Sequence, residues 1–398
     1  MNHKRKIAIV MDCMNMGGTE KALISFLKVL DYDKYDITVL IKTPNGKLEH
    51  LINTNAKIKY WSEERNSIRQ KVQNHIKCFQ FGAAILDVYN FYNEKINEKY
   101  WEKSIWYAAK NASFIDTDEY ELAIAYTNFN AEVAAKTLWS LCAKKKVLWV
   151  HGDYSCKKNA IRLFRKEYSA FHRIYCVSEA TRKIFCLKYK NVQKTRVMHN
   201  FMDIPEIIKG AENGVDLQFR RPALLTVGRL DKVKGQDIIP ETVRRLKDKG
   251  HNLTWYIIGD GELKLTIEKE IEKYDVGENV ILLGAKQNPY PYMRLCDIYV
   301  QPSLSEGYCV AVEEAKLLKK VIVVTQIPSF VEQIKNGENG FVAKGVTAAE
   351  ISECIEVLLE KPSVKQTVIT NLEKESFDHG EQLNDLYDLI GDETYENK

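Results

Sequence analysis

Residues 223–235 read Ala-Leu-Leu-Thr-Val-Gly-Arg-Leu-Asp-Lys-Val-Lys-Gly: a short apolar run, a glycine, then cations ahead of a helical stretch. A strand that ends on glycine and turns into a helix is the repeating unit of parallel α/β sheets. Helix-start amides and cations both favour an anion, so the turn suits a diphosphate. Gly228 lets the backbone approach, Arg229 offers a planar fork and Lys234 a compact charge. The plain alternative is a solvated basic loop.

The same alternation runs outward in both directions. Strands are expected at Lys6–Met11, Asp36–Ile41, Ile58–Tyr60, Leu122–Tyr126, Val147–Val150, Ile174–Val177 and Thr195–Met198. Beyond Ala223–Val227 they are expected at Thr254–Gly259, Val280–Leu283, Ile298–Gln301 and Val321–Thr325. The pattern restarts after Asn200, across the polar stretch Glu206–Asp216. A chain of 398 residues exceeds what one core serves. Two Rossmann-like α/β domains follow, 1–200 and 201–375, with 376–398 expected as a helix packing back on the first domain and an acidic tail.

Composition is that of a soluble enzyme, with 45% hydrophobic and 28% charged residues and no low-complexity segment. Nine cysteines, odd in number and without metal-type spacing, read as reduced thiols of a cytoplasmic protein. The first apolar run is cut by Asp12, which makes it a buried strand and not a signal peptide, and no stretch is apolar enough to span a membrane. Residues 1–200 hold 34 Lys/Arg against 20 Asp/Glu, and the remainder 24 against 34. A basic N-terminal half suits an anionic substrate or an anionic membrane surface, or is simply a solvated face. Segment 69–110 carries nine aromatic residues between Phe79 and Tyr107, read as an interfacial element or as helices packed on the first sheet.

Two further motifs carry chemistry. Strand one runs into Met16-Gly17-Gly18-Thr19-Glu20 and an apolar helix, a turn at a helix start where Gly17 and Gly18 let an anion approach. It lacks the GxGxxG fingerprint, which argues against a nicotinamide-dependent oxidoreductase. Ser303-Leu304-Ser305-Glu306-Gly307-Tyr308-Cys309 then leads into a helix holding Glu313 and Glu314. Glu306 and Glu314 are eight residues apart, one in a loop and one in the helix, and carboxylates so placed suit paired hydroxyls of a sugar and a ribose. The amides of Gly307, Tyr308 and Cys309 are expected to face phosphate.

With these residues in place the chain resembles glycosyltransferase family 4, whose GT-B fold sets two facing Rossmann-like domains across a cleft. The carriers are Gly17-Gly18, His151 in Trp149-Val150-His151-Gly152, the hinge Asn200, Gly228-Arg229 with Lys234-Gly235, Gly259-Asp260-Gly261 and the Glu306/Glu314 pair. The resemblance implies that Arg229 and Lys234 bind the donor diphosphate, Glu306 the donor sugar and Glu314 the ribose, while His151 lines the sugar site. It also implies a retaining hexosyl or N-acetylhexosaminyl transfer, with no metal and no bound cofactor. One departure stands out: Cys309 occupies a position where the family has a second glycine.

A UDP-sugar donor is the preferred expectation, with a membrane-associated saccharide acceptor, for example one linked to undecaprenyl diphosphate, in capsule or surface-polysaccharide synthesis. Lysines 144–146 add to the case for peripheral attachment to the inner membrane face, and no nucleic-acid partner is expected. A soluble or protein acceptor fits the same donor motifs. So does a non-catalytic nucleotide-sugar-binding protein. Asp31-Tyr32-Asp33 and Asp116-Thr117-Asp118 supply the DxD pattern of metal-dependent glycosyltransferases, but both precede strands and read as turn and helix-end acids.

Overall fold

The computed structural model describes residues 4–61, 109–110, 114–127, 130–152, 165–190, 192–377 and 380–391. The aromatic segment 69–110 lies outside the described residues except for its last two. The chain divides into two compact units, one of Met1–Val177, Thr181–His199 and Gly380–Lys398, the other of Ser178–Ala180 and Asn200–His379.

The sheet of the first unit comprises, among the described residues, β1 (Arg5–Cys13), β2 (Tyr35–Thr43), β3 (Lys57–Tyr60), β4 (Glu119–Thr127), β5 (Cys142–Val150), β6 (Arg173–Cys176) and β7 (Thr195–Val197). Their order is β3-β2-β1-β4-β5-β6-β7, all parallel. Ile7, Ala8, Ile9 and Val10 of β1 are fully buried, as a parallel strand covered on both faces must be. The helix Gly380–Leu389 belongs to this unit. Its Tyr387 stacks on Tyr35, and its Asp385 takes an ion pair from Arg173 and, through its carbonyl, the Tyr175 hydroxyl.

In the second unit the strands are β8 (Ala223–Val227), β9 (Thr254–Ile258), β10 (Val280–Gly284), β11 (Ile298–Gln301), β12 (Val321–Val324) and β13 (Phe341–Val342). They lie parallel in the order β10-β9-β8-β11-β12-β13. Alternate residues feed two cores. Leu224, Trp255, Ile257, Ile298 and Val300 pack on one face; Ala223, Leu225, Tyr256, Ile258 and Tyr299 pack on the other. Each large apolar side chain so buried contributes roughly 1.5–3 kcal/mol.

Both sheets reverse direction once, between β1 and β4 and between β8 and β11. In a doubly wound sheet, the connections from the two strands at that point leave in opposite directions and open a crevice at the carboxyl ends. β13, only two residues long and followed by Ala343, was not expected, because two residues give no periodicity to read. β5 begins five residues earlier than expected, at Cys142. Lys144 of this extension pairs with Glu121 at 2.7 Å, and Lys146 Nζ donates to the Leu138 and Leu141 carbonyls at 2.7 and 2.6 Å. Two of the three lysines expected to serve a membrane surface are thus engaged within the unit.

Candidate donor site in the second unit

The switch point between β8 and β11 gathers the chemistry. Ile298 and Tyr299 of β11 register with Leu224 and Leu225 of β8, so both strands deliver their following loops to one edge. From β8 come Gly228, Arg229 and Lys234; from β11 come Glu306 and, on the helix Val310–Leu317, Glu314.

Asp231 organises the first loop. Its Oδ1 accepts the amides of Val233 (3.1 Å) and Lys234 (3.2 Å), capping a short 3-10 turn, while Oδ2 accepts from Arg229 Nε at 2.6 Å. The Arg229 guanidinium stays exposed, at 66%, beside this nearly buried carboxylate. Gln236, fully buried, donates to the Arg229 carbonyl at 2.9 Å and fixes the backbone there. Gly235 follows at φ +67°, where a Cβ would collide with the Pro302 carbonyl, so the loops after β8 and β11 touch only because the side chain is missing. Gly259 does the same service from below: a Cβ on it would collide with the Gly228 carbonyl.

Lys234 reaches across to Glu306, Nζ to Oε1 at 2.6 Å, with side-chain exposures of 21% and 10%. Burial alone would push the Lys234 ammonium down. The Glu306 charge and hydrogen bond, together with the Cys309 and Asp231 side chains, outweigh that in sum and hold the pKa above its ordinary value. Glu306 Oε1 also accepts from Ser303 Oγ at 2.8 Å. Ser303 in turn accepts from Gln301 Nε2 at 3.0 Å, and Gln301 Oε1 accepts from Tyr299 at 2.8 Å. A buried relay therefore sets the carboxylate from the strand itself. Asp231, Ser303, Gln301 and Gln236 were not singled out in the sequence; Ser303 and Gln301 carry the only legible signal, polar residues at the end of an apolar strand.

Glu314 is buried and accepts from the Tyr290 hydroxyl at 3.0 Å. Burial first, then the Glu314 charge, raises the Tyr290 pKa far above its ordinary value, so the phenol stays a donor. At the helix start one expectation changes. The Cys309 amide does not face an anion; it donates to Gln333 Oε1 at 3.1 Å. The Cys309 thiol is buried, which raises its pKa well above the ordinary range. Gly307 and Tyr308 precede it in the same loop, Tyr308 with its hydroxyl pKa raised by burial first and then by Glu313.

Gly17, Gly18 and His151 lie in the first unit, at the carboxyl ends of β1 and β5. Gly17 caps the helix Gly18–Val29, and a Cβ on it would collide with Glu20 Oε2, so this helix start already carries a carboxylate where phosphate was expected. His151 is nearly buried; its amide donates to the Thr127 carbonyl at 3.2 Å, and its ring lies 4.1 Å from that of Tyr126 and 5.5 Å from that of Trp149.

The two DxD stretches sit at the opposite, amino ends of the strands. Asp31 Oδ1 accepts the Asp33 amide, and Asp116 and Asp118 share the Lys59 ammonium at 2.6 and 2.8 Å. They are turn and ion-pair acids. Among the described residues, His251, Glu356 and Glu360 bring metal-type ligand atoms within 4.8 Å of one another, but Glu356 is held by Lys249 at 2.6 Å and the group lies away from the switch point.

Residues 205–375 match the family model "Glycosyl transferases group 1". The chain is 25% identical, over 77% of its length and 85% of the relative's, to the N,N'-diacetylbacillosaminyl-diphospho-undecaprenol alpha-1,3-N-acetylgalactosaminyltransferase of Campylobacter jejuni. It is 28% identical to an uncharacterized glycosyltransferase of Methanocaldococcus jannaschii, over 46% of this chain and about half (48%) of that one. Among solved structures it superposes on Anabaena HepE in complex with UDP-glucose with a TM-score of 0.70, at 17% identity, covering 97% of this chain and 99% of that one. The fold is GT-B. The matched domain and the likeness to curated glycosyltransferases support a glycosyltransferase superfamily.

Proposed function

We propose that the protein is a retaining, family 4 glycosyltransferase that moves a hexose or N-acetylhexosamine from a nucleotide sugar, a UDP-sugar by preference, to a saccharide acceptor. The observation that carries this is the Lys234–Glu306 pair at the switch point, with Arg229 and Glu314 on the adjoining segments. A cation poised on a carboxylate suits a ligand with phosphate next to sugar hydroxyls: Lys234 and Arg229 neutralise the departing diphosphate while Glu306 accepts from the sugar. Two fixed cations are enough to stabilise that charge, and the reaction is proposed to need neither metal nor bound cofactor. His151 is proposed to line the donor-sugar site, as the family resemblance implies.

The acceptor is proposed to be lipid-linked, in capsule or surface-polysaccharide synthesis, with the enzyme peripheral on the inner membrane face. The undecaprenol-linked substrate in the name of the Campylobacter relative and the basic N-terminal half support this. No helix of the described residues is long and apolar enough to cross a membrane. Incubating purified protein with UDP-, GDP- and ADP-sugars, with and without chelator and beside Glu306→Ala, tests the reading. Chelator-resistant release of one nucleoside diphosphate, lost in the variant, is expected. Binding without release under any acceptor supplied would favour a nucleotide-sugar-binding protein, and release only with metal would overturn the diphosphate assignment.

A further inference from the structure

Beneath the Glu306–Cys309 loop lies a buried polar chain that the donor chemistry does not require. Gln333, at the end of the helix Pro328–Gln333, meets Cys309 with both ends of its amide: Oε1 accepts the Cys309 N–H at 3.1 Å and Nε2 donates to the Cys309 carbonyl at 3.2 Å. The same Nε2 donates to Glu313 Oε1 at 3.1 Å. Lys316 then bridges Glu313, at 3.4 Å, to Glu375, at 2.6 Å. Gln333, Glu313 and Lys316 are all buried to within about 5%. Buried polar groups cost free energy unless fully hydrogen-bonded, and here the amide meets backbone and carboxylate at three points.

We propose that Gln333 is a positioning residue for the donor site, locking the loop that carries Glu306 to the helix that carries Glu314. The proposal rests on the nucleotide-sugar reading above. A primary amide carries an acceptor and a donor on one planar group at every pH, so it accepts from the Cys309 N–H and donates to the Cys309 carbonyl without titrating. With the Cys309 amide engaged, that N–H is withdrawn from the diphosphate, and the loop enters binding already ordered. Cys309 fits this arrangement: its thiol is buried in the apolar core with Val312 and Phe330, and its backbone serves Gln333.

The test exploits protonation. A neutral glutamic acid reproduces both contacts with Cys309, accepting on one oxygen and donating from the other, and gives up only the donation to Glu313, whereas its carboxylate would stand against Glu313 and the Cys309 carbonyl, with the Cys309 N–H, the Tyr308 hydroxyl and Lys316 to offset them. Nucleoside diphosphate affinity (UDP, GDP and ADP) is measured by calorimetry at pH 5 to 8 for wild type, Gln333→Glu and Gln333→Met, with circular dichroism to confirm folding. Gln333→Glu is expected within about threefold of wild type at pH 5 and at least tenfold weaker at pH 8; Gln333→Met is expected roughly tenfold weaker throughout. Folded Gln333→Met that binds like wild type, or a Gln333→Glu profile parallel to wild type, overturns the positioning role while leaving the donor site standing. Wild type that binds none of the three nucleotides overturns both.

Discussion

Lys234 Nζ and Glu306 Oε1 lie 2.6 Å apart, joining the loops after two neighbouring strands at the one place where the second sheet reverses direction. Removing one partner strands the other in a poorly solvated site. Lys234→Met is expected to cost about 2–4 kcal/mol in urea unfolding. Lys234→Met with Glu306→Leu is expected to recover most of that loss and still to bind no nucleoside diphosphate. A double variant as unstable as the single one would mean that packing, not the stranded charge, carries the cost.

The helix Gly380–Leu389 is held on the first unit by Tyr387, which stacks on Tyr35 with ring centroids 5.3 Å apart and planes 4° apart. Both rings are fully buried. Tyr387→Ala is expected to destabilise the protein by about 3 kcal/mol through the cavity it leaves. Arg173→Ala, which removes the half-exposed pair with Asp385, is expected to cost no more than about 1 kcal/mol. Equal losses in denaturant titrations would contradict this ranking.

Asp116, Asp118 and Lys59 make stability depend on acid. Hydrogen bonds from Lys59 and Lys6 hold the Asp118 carboxyl down to about 2; burial raises Asp116, but hydrogen bonds from Lys59, the Asp118 amide and Tyr120, with the Lys59 charge, together outweigh that and keep it lowered. Carboxyls depressed in the folded state stabilise it above their unfolded value, about 3.9, and that contribution fades as pH falls from about 4 toward 2. Melting temperatures of wild type should therefore drop across this window, and Lys59→Met should shallow the drop. Unchanged acid sensitivity in the variant would assign it elsewhere.

Gly259 tests how the donor loop is shaped. With φ at +157° and the Gly228 carbonyl where a Cβ would go, Gly259→Ala must shift one strand end against the other. A loss of about 2 kcal/mol or more and weaker nucleoside diphosphate binding are expected, whereas Gly277→Ala, whose Cβ would find its nearest neighbour at 3.9 Å, serves as a near-neutral control. Equal behaviour of the two would show that the strand ends yield freely.

Much of this was legible from the chain. Apolar runs such as Leu224–Val227 and Ile298–Val300, flanked by glycine and proline, announce buried parallel strands, and charged residues just after them mark candidates for a site, because in a doubly wound sheet ligands bind at the carboxyl ends of the strands. Glu306, Lys234 and Arg229 stand out as candidates in that way. Gln333 does not: it stands 24 residues beyond Cys309 in an ordinary short helix, and no local pattern marks a side chain whose partners are another segment's backbone. Nor did the glycine pair 17–18 disclose that Glu20 folds back over its own helix start.

The sequence by itself determined the two α/β units, the strands and the loops that bear chemistry, since periodicity and glycine placement are local properties of the chain. Only the tertiary structure decided strand order, and with it that the β8 and β11 loops leave the same edge and that Lys234 meets Glu306. It alone decided which polar groups answer one another, from Asp231 with Arg229 to Gln333 with Cys309. Those pairings depend on directions and distances between segments far apart in the chain, which burial and hydrogen bonding fix only once the sheets have formed.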